Sequence, residues 1–221
     1  KSEADIVIKI TGYQWKWRYE YPDHDVSFFS TLSTPRDQIE NKAKKGDNYL
    51  LEVDNPVVIP VGKKVRFLVT ANDVIHAWWV PQLGVKKDAI PGFLNETWAI
   101  ANKPGVYRGQ CAELCGKDHG YMPIVVEAVE QDKFTQWVSA QKAQAQAAVA
   151  DVGKQWTKAE LLAKGEKVYA QCVACHGAKG EGVATFPKLT GSKIATGPVA
   201  EHIKIVLKGK PGTAMQAFGG Q

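Results

Sequence analysis

Within twelve residues, Cys111-Ala-Glu-Leu-Cys115-Gly-Lys-Asp-His119-Gly-Tyr-Met122 offers two thiols, an imidazole and a thioether. Soft sulfur ligands mixed with imidazole are what copper selects, and a thioether beside Cys and His is the donor set of a copper electron-transfer site. Further along, Cys172-Val-Ala-Cys175-His176 is the attachment motif of a c-type haem, its two thiols forming the thioether links and His176 the proximal ligand. Two redox centres on one chain imply that electrons pass between them.

The four cysteines of the chain all fall in these two motifs, so no pair is left over for an ordinary disulfide. The two methionines, Met122 and Met215, each follow one motif at a distance suited to an axial ligand. His202 competes with Met215 for the sixth haem position but sits in a regular helical pattern, and His24 has no ligand partners nearby and reads as surface.

A mononuclear blue-copper site needs one Cys, two His and a weak axial ligand. His76, 35 residues before Cys111, can supply the distant imidazole from a neighbouring strand end, which leaves one Cys in excess. Two thiolates in one loop can bridge two coppers, with one His to each metal and Met122 and a backbone carbonyl completing the shells. Zinc prefers closed sets of four Cys or His ligands, for which Met122 is a poor choice. Positions 111, 115, 119 and 122 would also share one face of a helix. Gly116, Gly120 and Pro123 each cost stability in a helix interior, so a loop at the end of a sheet is expected instead.

The elements that must hold this loop are short strands. Ile6–Ile10 alternates; 57–61 and 64–70 flank a turn at Gly62; 106–110 and 123–129 bracket the loop. Such spacing with Gly, Pro and Asn punctuation predicts an all-β sandwich. From 132 to 145 the period becomes helical, with Phe134, Trp137, Val138 and Gln141 on one face. The low-complexity stretch around Ala143-Gln-Ala-Gln-Ala-Ala-Val-Ala suggests that 141–156 is a linker, spanning about 20–24 Å as flexible coil. A capping box, Thr157-Lys-Ala-Glu160, then opens a helix that leads into the haem motif, and 199–207 forms the clearest later helix. The expected organisation is a sandwich over 1–131, a helix and linker over 132–156 and a small all-α domain over 157–221.

The segments Gly12-Tyr-Gln-Trp15-Lys-Trp-Arg-Tyr-Glu-Tyr21, Val74-Ile-His76, Pro81-Gln-Leu-Gly-Val-Lys-Lys-Asp88-Ala-Ile-Pro-Gly92 and Gly109-Gln-Cys111 through Ile124 resemble subunit II of the haem–copper cytochrome c oxidases over residues 5–140. The resemblance implies a cupredoxin-like Greek-key sandwich holding the binuclear copper A centre. The ligands it implies are His76, Cys111, Glu113 through its backbone carbonyl, Cys115, His119 and Met122, with the Glu113 carboxylate facing a magnesium site shared with subunit I. Trp15 falls where the family has the tryptophan through which electrons enter; core packing in an aromatic-rich strand is the competing reading. The family's subunit II begins with two membrane helices, which these residues do not include. Residues 157–221 are similar to a small class I cytochrome c with Met215 as sixth ligand and without the family's C-terminal helix. Oxidase subunits II with a fused cytochrome c are a known arrangement, and this chain resembles one.

These resemblances imply a subunit of a bacterial plasma-membrane complex, with this part on the periplasmic face. Its partners would be subunits I and III, a donor cytochrome or membrane donor complex, and the membrane through the absent helices. The rival assignment is the copper A domain of a cytochrome-fused nitrous-oxide reductase, against which Glu113 argues. A copper-delivery or sensor module has no use for a covalent haem.

Composition agrees with two modest domains in 221 residues, 44% hydrophobic and 23% charged. No run of apolar residues is long enough to cross a bilayer. The chain starts at Lys1 with no signal peptide, as expected of a processed or cut N-terminus. Residues 1–130 carry 16 Lys+Arg against 17 Asp+Glu, net −1, and residues 131–221 carry 12 against 6, net +6. Solvated lysine stems, or docking on an anionic protein or lipid surface, both account for that excess. No nucleic-acid partner is expected, because the lysines are dispersed and interleave with no aromatic ladder.

Overall fold

The computed structural model describes residues 3–150, 154–169, 172–183, 186–213, 215 and 218, in two compact units, Lys1–Val149 and Ala150–Gln221. The first unit contains β1 (Ile6–Tyr13), β2 (Lys16–Tyr21), β3 (Val26–Ser30), α1 (Arg36–Ile39), β4 (Val57–Pro60), β5 (Lys64–Ala71), β6 (His76–Val80), β7 (Val85–Ala89), β8 (Asn95–Ile100), β9 (Gly105–Cys111) and β10 (Pro123–Val129). They form two five-stranded sheets, ordered β3-β2-β1-β5-β8 and β4-β10-β9-β6-β7. The expected β-sandwich is therefore present. Beyond the five strands expected from the sequence it contains β2, β3, β6, β7 and β8.

Period-two alternation builds the core. Ile6, Ile8 and Ile10 of β1 and Val65, Phe67 and Val69 of β5 are buried, while the alternate residues of β5 are half exposed. Aromatic residues of β2 cross the sandwich and use their polar ends to tie the sheets together. The Tyr21 hydroxyl donates to the Val58 carbonyl and accepts from the Val58 amide, both at 3.0 Å. The Trp78 indole N–H donates to the Tyr19 hydroxyl at 3.2 Å. Burial pushes both tyrosine pKa values up, so each hydroxyl keeps its proton.

The helix α2 (Gln131–Ala150) packs the expected face on this unit: Phe134 and Val138 are buried, and the Trp137 ring lies 5.1 Å from Tyr21 and 5.9 Å from Phe28. It also corrects two expectations. Residues 141–150, assigned to a flexible linker, are helical, because their Ala and Gln are strong helix formers with no Gly or Pro among them. The flexible-coil span does not apply to them. His24 is not free surface; it is half buried with its ring edge 5.4 Å from Phe134.

The second unit contains α3 (Lys158–Tyr169), α4 (Val173–His176) and α5 (Val199–Lys208). The capping box is formed: the Thr157 amide and hydroxyl reach Glu160 Oε2 at 2.8 and 2.7 Å, and the Glu160 amide reaches the Thr157 hydroxyl at 3.3 Å. Among the described residues, no helix is long and apolar enough to cross a membrane.

Candidate metal centre and haem site

One end of the sandwich carries the sulfur loop. β9 ends at Cys111, and β10 begins directly after Met122. Between them the chain turns through Gly116 and one short 3-10 turn, His119–Tyr121, rather than an α-helix. Cys111 stands across from Trp78 in the β6–β9 register, and His76 opens β6 two residues earlier, which brings the distant imidazole to the loop.

The Cys111 and Cys115 sulfurs are 3.9 Å apart and not bonded to each other. His76 Nδ1 lies 4.0 Å from Cys111 Sγ, and His119 Nδ1 lies 3.4 Å from Cys115 Sγ. Met122 Sδ is 3.5 Å from Cys115 Sγ, and the Glu113 carbonyl oxygen is 3.4 Å from Cys111 Sγ. Metal–thiolate bonds of about 2.3 Å and metal–imidazole bonds of about 2.0–2.1 Å let one ion join donors up to roughly 4.3–4.6 Å apart. Each of these sulfur–sulfur and sulfur–imidazole pairs meets that limit. The donors also divide in two, His76 and Glu113 on the Cys111 side and His119 and Met122 on the Cys115 side. Two metal positions sharing two sulfurs fit this division better than one. The donor atoms of His76, Cys111 and Cys115 all lie within 4.8 Å of one another, and the three residues are buried. The Glu113 carboxylate belongs to an exposed residue and is free to point elsewhere.

Surrounding groups prepare these donors. Asp73 Oδ1 lies 2.8 Å from His76 Nε2. A carboxylate only accepts, so Nε2 carries the proton and Nδ1 is left for a metal. Burial opposes charge on His76, but its hydrogen bonds with Asp73 and Cys111 outweigh that effect and raise its pKa. The hydrogen bond from Cys115 pulls the Cys111 thiol down to about 4 against the opposing effect of burial. The same contact, together with burial, pushes Cys115 up.

Gly12 lies beneath His76. A Cβ there would come 2.8 Å from His76 Cδ2 and 3.0 Å from Cγ. Gly12→Ala is expected to tilt the ring, cost about 1–3 kcal/mol of folding stability and lower copper retention with the haem spectrum unchanged. Thermal melts and metal analysis after gel filtration check this.

Sequence reasoning missed Asp73, Gly12, Trp17 and Gln14 as supports of the donors, and it named Trp15 only for electron entry or core packing. Trp17 Nε1 donates to the Met122 carbonyl at 3.2 Å, while Gln14 Nε2 and Trp15 Nε1 both donate to the Cys115 carbonyl, at 2.8 and 3.2 Å. Trp15 is half buried at the β1–β2 tip against the sulfur loop. Only Asp73 left a local signal, an acid three residues before a ligand-type histidine.

In the second unit Cys172 and Cys175 are half buried, one turn apart beside His176. His176 Nδ1 lies 2.8 Å from the Pro187 carbonyl, so Nδ1 holds the proton and Nε2 is free to ligate iron. Among the described residues of this unit no apolar side chain is buried, and Leu161, Leu162, Val168 and Ile203 are exposed. A helical unit this poor in apolar core fits one completed by a large apolar group such as a porphyrin. Met215 is half buried in a loop closed by its carbonyl to the Lys210 amide at 3.0 Å and its amide to the Thr213 hydroxyl at 3.2 Å. His202 is exposed on α5.

Comparison with known proteins gives two family matches. Residues 6–129 match the periplasmic domain of cytochrome c oxidase subunit II, and residues 160–221 match subunit III of cbb3-type cytochrome c oxidase. A probable cytochrome c oxidase subunit 2 of Rickettsia bellii is 51% identical over 139 residues, covering 62% of this chain and 50% of that protein. The chain thus spans about half the length of that curated relative. The crystal structure of the periplasmic domain of cytochrome oxidase subunit II of Bradyrhizobium japonicum is 47% identical, with a TM-score of 0.58 over 65% of this chain and 97% of that one. A mixed-disulfide complex of a thioredoxin-like protein with subunit II of cytochrome c oxidase is 47% identical, with a TM-score of 0.54 over 65% of this chain and 95% of that one.

Proposed function

Because the chain belongs to the family of the periplasmic domain of cytochrome c oxidase subunit II, with a cbb3 subunit III-like cytochrome c region at its C-terminal end, we propose that it receives electrons for a respiratory terminal oxidase. The observation that carries this reading is the divided donor set around two sulfurs 3.9 Å apart. When bound, haem c and a copper pair would supply one-electron exchange between an external donor and the oxidase.

His76, Cys111, Glu113 through its carbonyl, Cys115, His119 and Met122 hold the copper pair. Asp73 and Gly12 set the angle of His76. Burial of His76, Cys111, Cys115 and Met122 keeps water from the sulfurs and limits the rearrangement that a change of charge demands. Cys172 and Cys175 would anchor the haem, with His176 Nε2 and Met215 as the side chains that would hold its iron. Trp15, whose indole touches the Cys115 carbonyl, is the point at which electrons approach the copper side. The exposed Glu113 carboxylate would be available to a divalent cation at the junction with subunit I.

The partners that follow are subunits I and III, a donor cytochrome or membrane donor complex, and membrane helices outside these residues. The chain works on the periplasmic side of a bacterial plasma membrane. Oxygen is reduced in subunit I. The test is purification of the native complex from membranes and assay of O₂ consumption with a reduced c-type donor. Oxygen uptake that tracks this chain's haem and copper supports the reading; a complex that reduces nitrous oxide and not O₂ sinks it.

A further inference from the structure

The two segments that bring the donors together are distant in sequence, and one residue touches the support of both. The Gln14 backbone N–H donates to Asp73 Oδ2 at 2.8 Å, and Oδ1 of that carboxylate lies 2.8 Å from His76 Nε2. The Gln14 side chain turns the other way, its Nε2 donating to the Cys115 carbonyl at 2.8 Å, an acceptor it shares with the Trp15 indole. We propose that Gln14 is a positioning residue that clasps the His76 segment to the Cys115 segment and so fixes the spacing of the metal donors. The proposal rests on the copper reading above.

Two donors on one carbonyl occupy both of its lone pairs. The Cys115–Gly116 peptide plane then cannot rotate without losing a hydrogen bond, and the Cys115 sulfur is carried on that peptide. The fit is close. Gly116 has φ +116°, and a Cβ there would lie 3.0 Å from Gln14 Nε2 and 3.1 Å from Trp15 Cζ2. On the other side, the amides of Gln14 and Val74 and the ring of His76 all hold the Asp73 carboxylate. Its oxygens are therefore aimed, and they aim the imidazole. Partners of this kind around metal ligands typically govern affinity by about 10- to 100-fold.

Packing and hydrogen bonding by Gln14 can be separated, because glutamate keeps the shape of glutamine and cannot donate when ionised. The experiment uses the full chain loaded with haem and copper, and reads copper loss to a chelator and the copper hyperfine pattern in electron paramagnetic resonance. Gln14→Ala is expected to speed copper loss by roughly tenfold and alter the hyperfine pattern. Gln14→Glu should be at least as damaging, since a carboxylate oxygen would face the Cys115 carbonyl. Trp15→Phe leaves one donor in place and should be milder. The double variant Gln14→Ala with Trp15→Phe should exceed the product of the single effects, because the carbonyl then has no donor. Far-ultraviolet circular dichroism of each variant reports that the β-sandwich is intact. If Gln14→Glu keeps the wild-type rate and pattern, Gln14 only fills space and the clasp is refuted. If the unaltered chain takes up no copper pair, the function proposed above fails and the clasp falls with it. A wild-type pair with indifferent Gln14 variants refutes the clasp alone.

Discussion

Cys115→Ser should abolish the paired-copper centre and leave the haem untouched. Cys115 is a hub of the donor set: its sulfur lies 3.9 Å from Cys111 Sγ, 3.4 Å from His119 Nδ1 and 3.5 Å from Met122 Sδ. Cys111 has as many donor neighbours, Cys115 Sγ, His76 Nδ1 and the Glu113 carbonyl, on its own side of the pair. Serine offers a harder oxygen that stays protonated at neutral pH, and soft copper prefers thiolate. The shared bridge is lost and the Met122 thioether no longer has a sulfur-bound metal beside it. Metal analysis of the loaded wild-type chain should give two coppers and one iron. The variant should hold one copper at most, without the spectrum of an electron shared between two metals. The haem-attachment motif lies in a separate compact unit, so the haem absorption should not change. Two coppers retained with the wild-type spectrum would refute the binuclear assignment, as would zinc in place of copper in the wild type.

Much of this site could be read in the sequence because its parts are local. Cys111, Cys115, His119 and Met122 lie within twelve residues, and Gly and Pro exclude the helical alternative. His76 required a distant partner, and it was visible because a ligand-type residue at a strand end is unusual. The supports were not visible. Gln14 acts on residues 59 and 101 positions away, through one backbone amide and one side-chain amide, and neither contact has any sequence period. The strands followed the same division. β5 alternates cleanly and was legible. β6 has His76, Ala77, Trp78 and Val80 all buried, so alternation could not reveal it. The helical run to Ala150 was misjudged for another reason: low complexity suggested a coil, but alanine and glutamine carry their own helix preference.

Met215→Ala carries the second large effect, on the haem. His176 Nδ1 is committed to the Pro187 carbonyl, which leaves one imidazole nitrogen for iron and one axial position for another residue. Of the two methionines, Met122 is buried against Cys115, so only Met215 remains for the haem. Its loop is shaped by local hydrogen bonds to Lys210 and Thr213, and the Phe218 amide ties the segment after it to the Val206 carbonyl of α5 at 2.9 Å. Met/His ligation raises a haem potential, because the thioether favours the reduced iron. In the alanine variant Cys172 and Cys175 still hold the haem covalently. The sulfur-to-iron absorption should vanish, and the potential should fall by a sizeable part of the roughly 0.8 V that axial ligands span. Transfer from haem towards copper would then run more downhill, while reduction by the external donor would slow. Redox titration and stopped-flow reduction of the same sample read both effects. An unchanged spectrum and potential would remove Met215 from the iron and turn attention to His202 on α5.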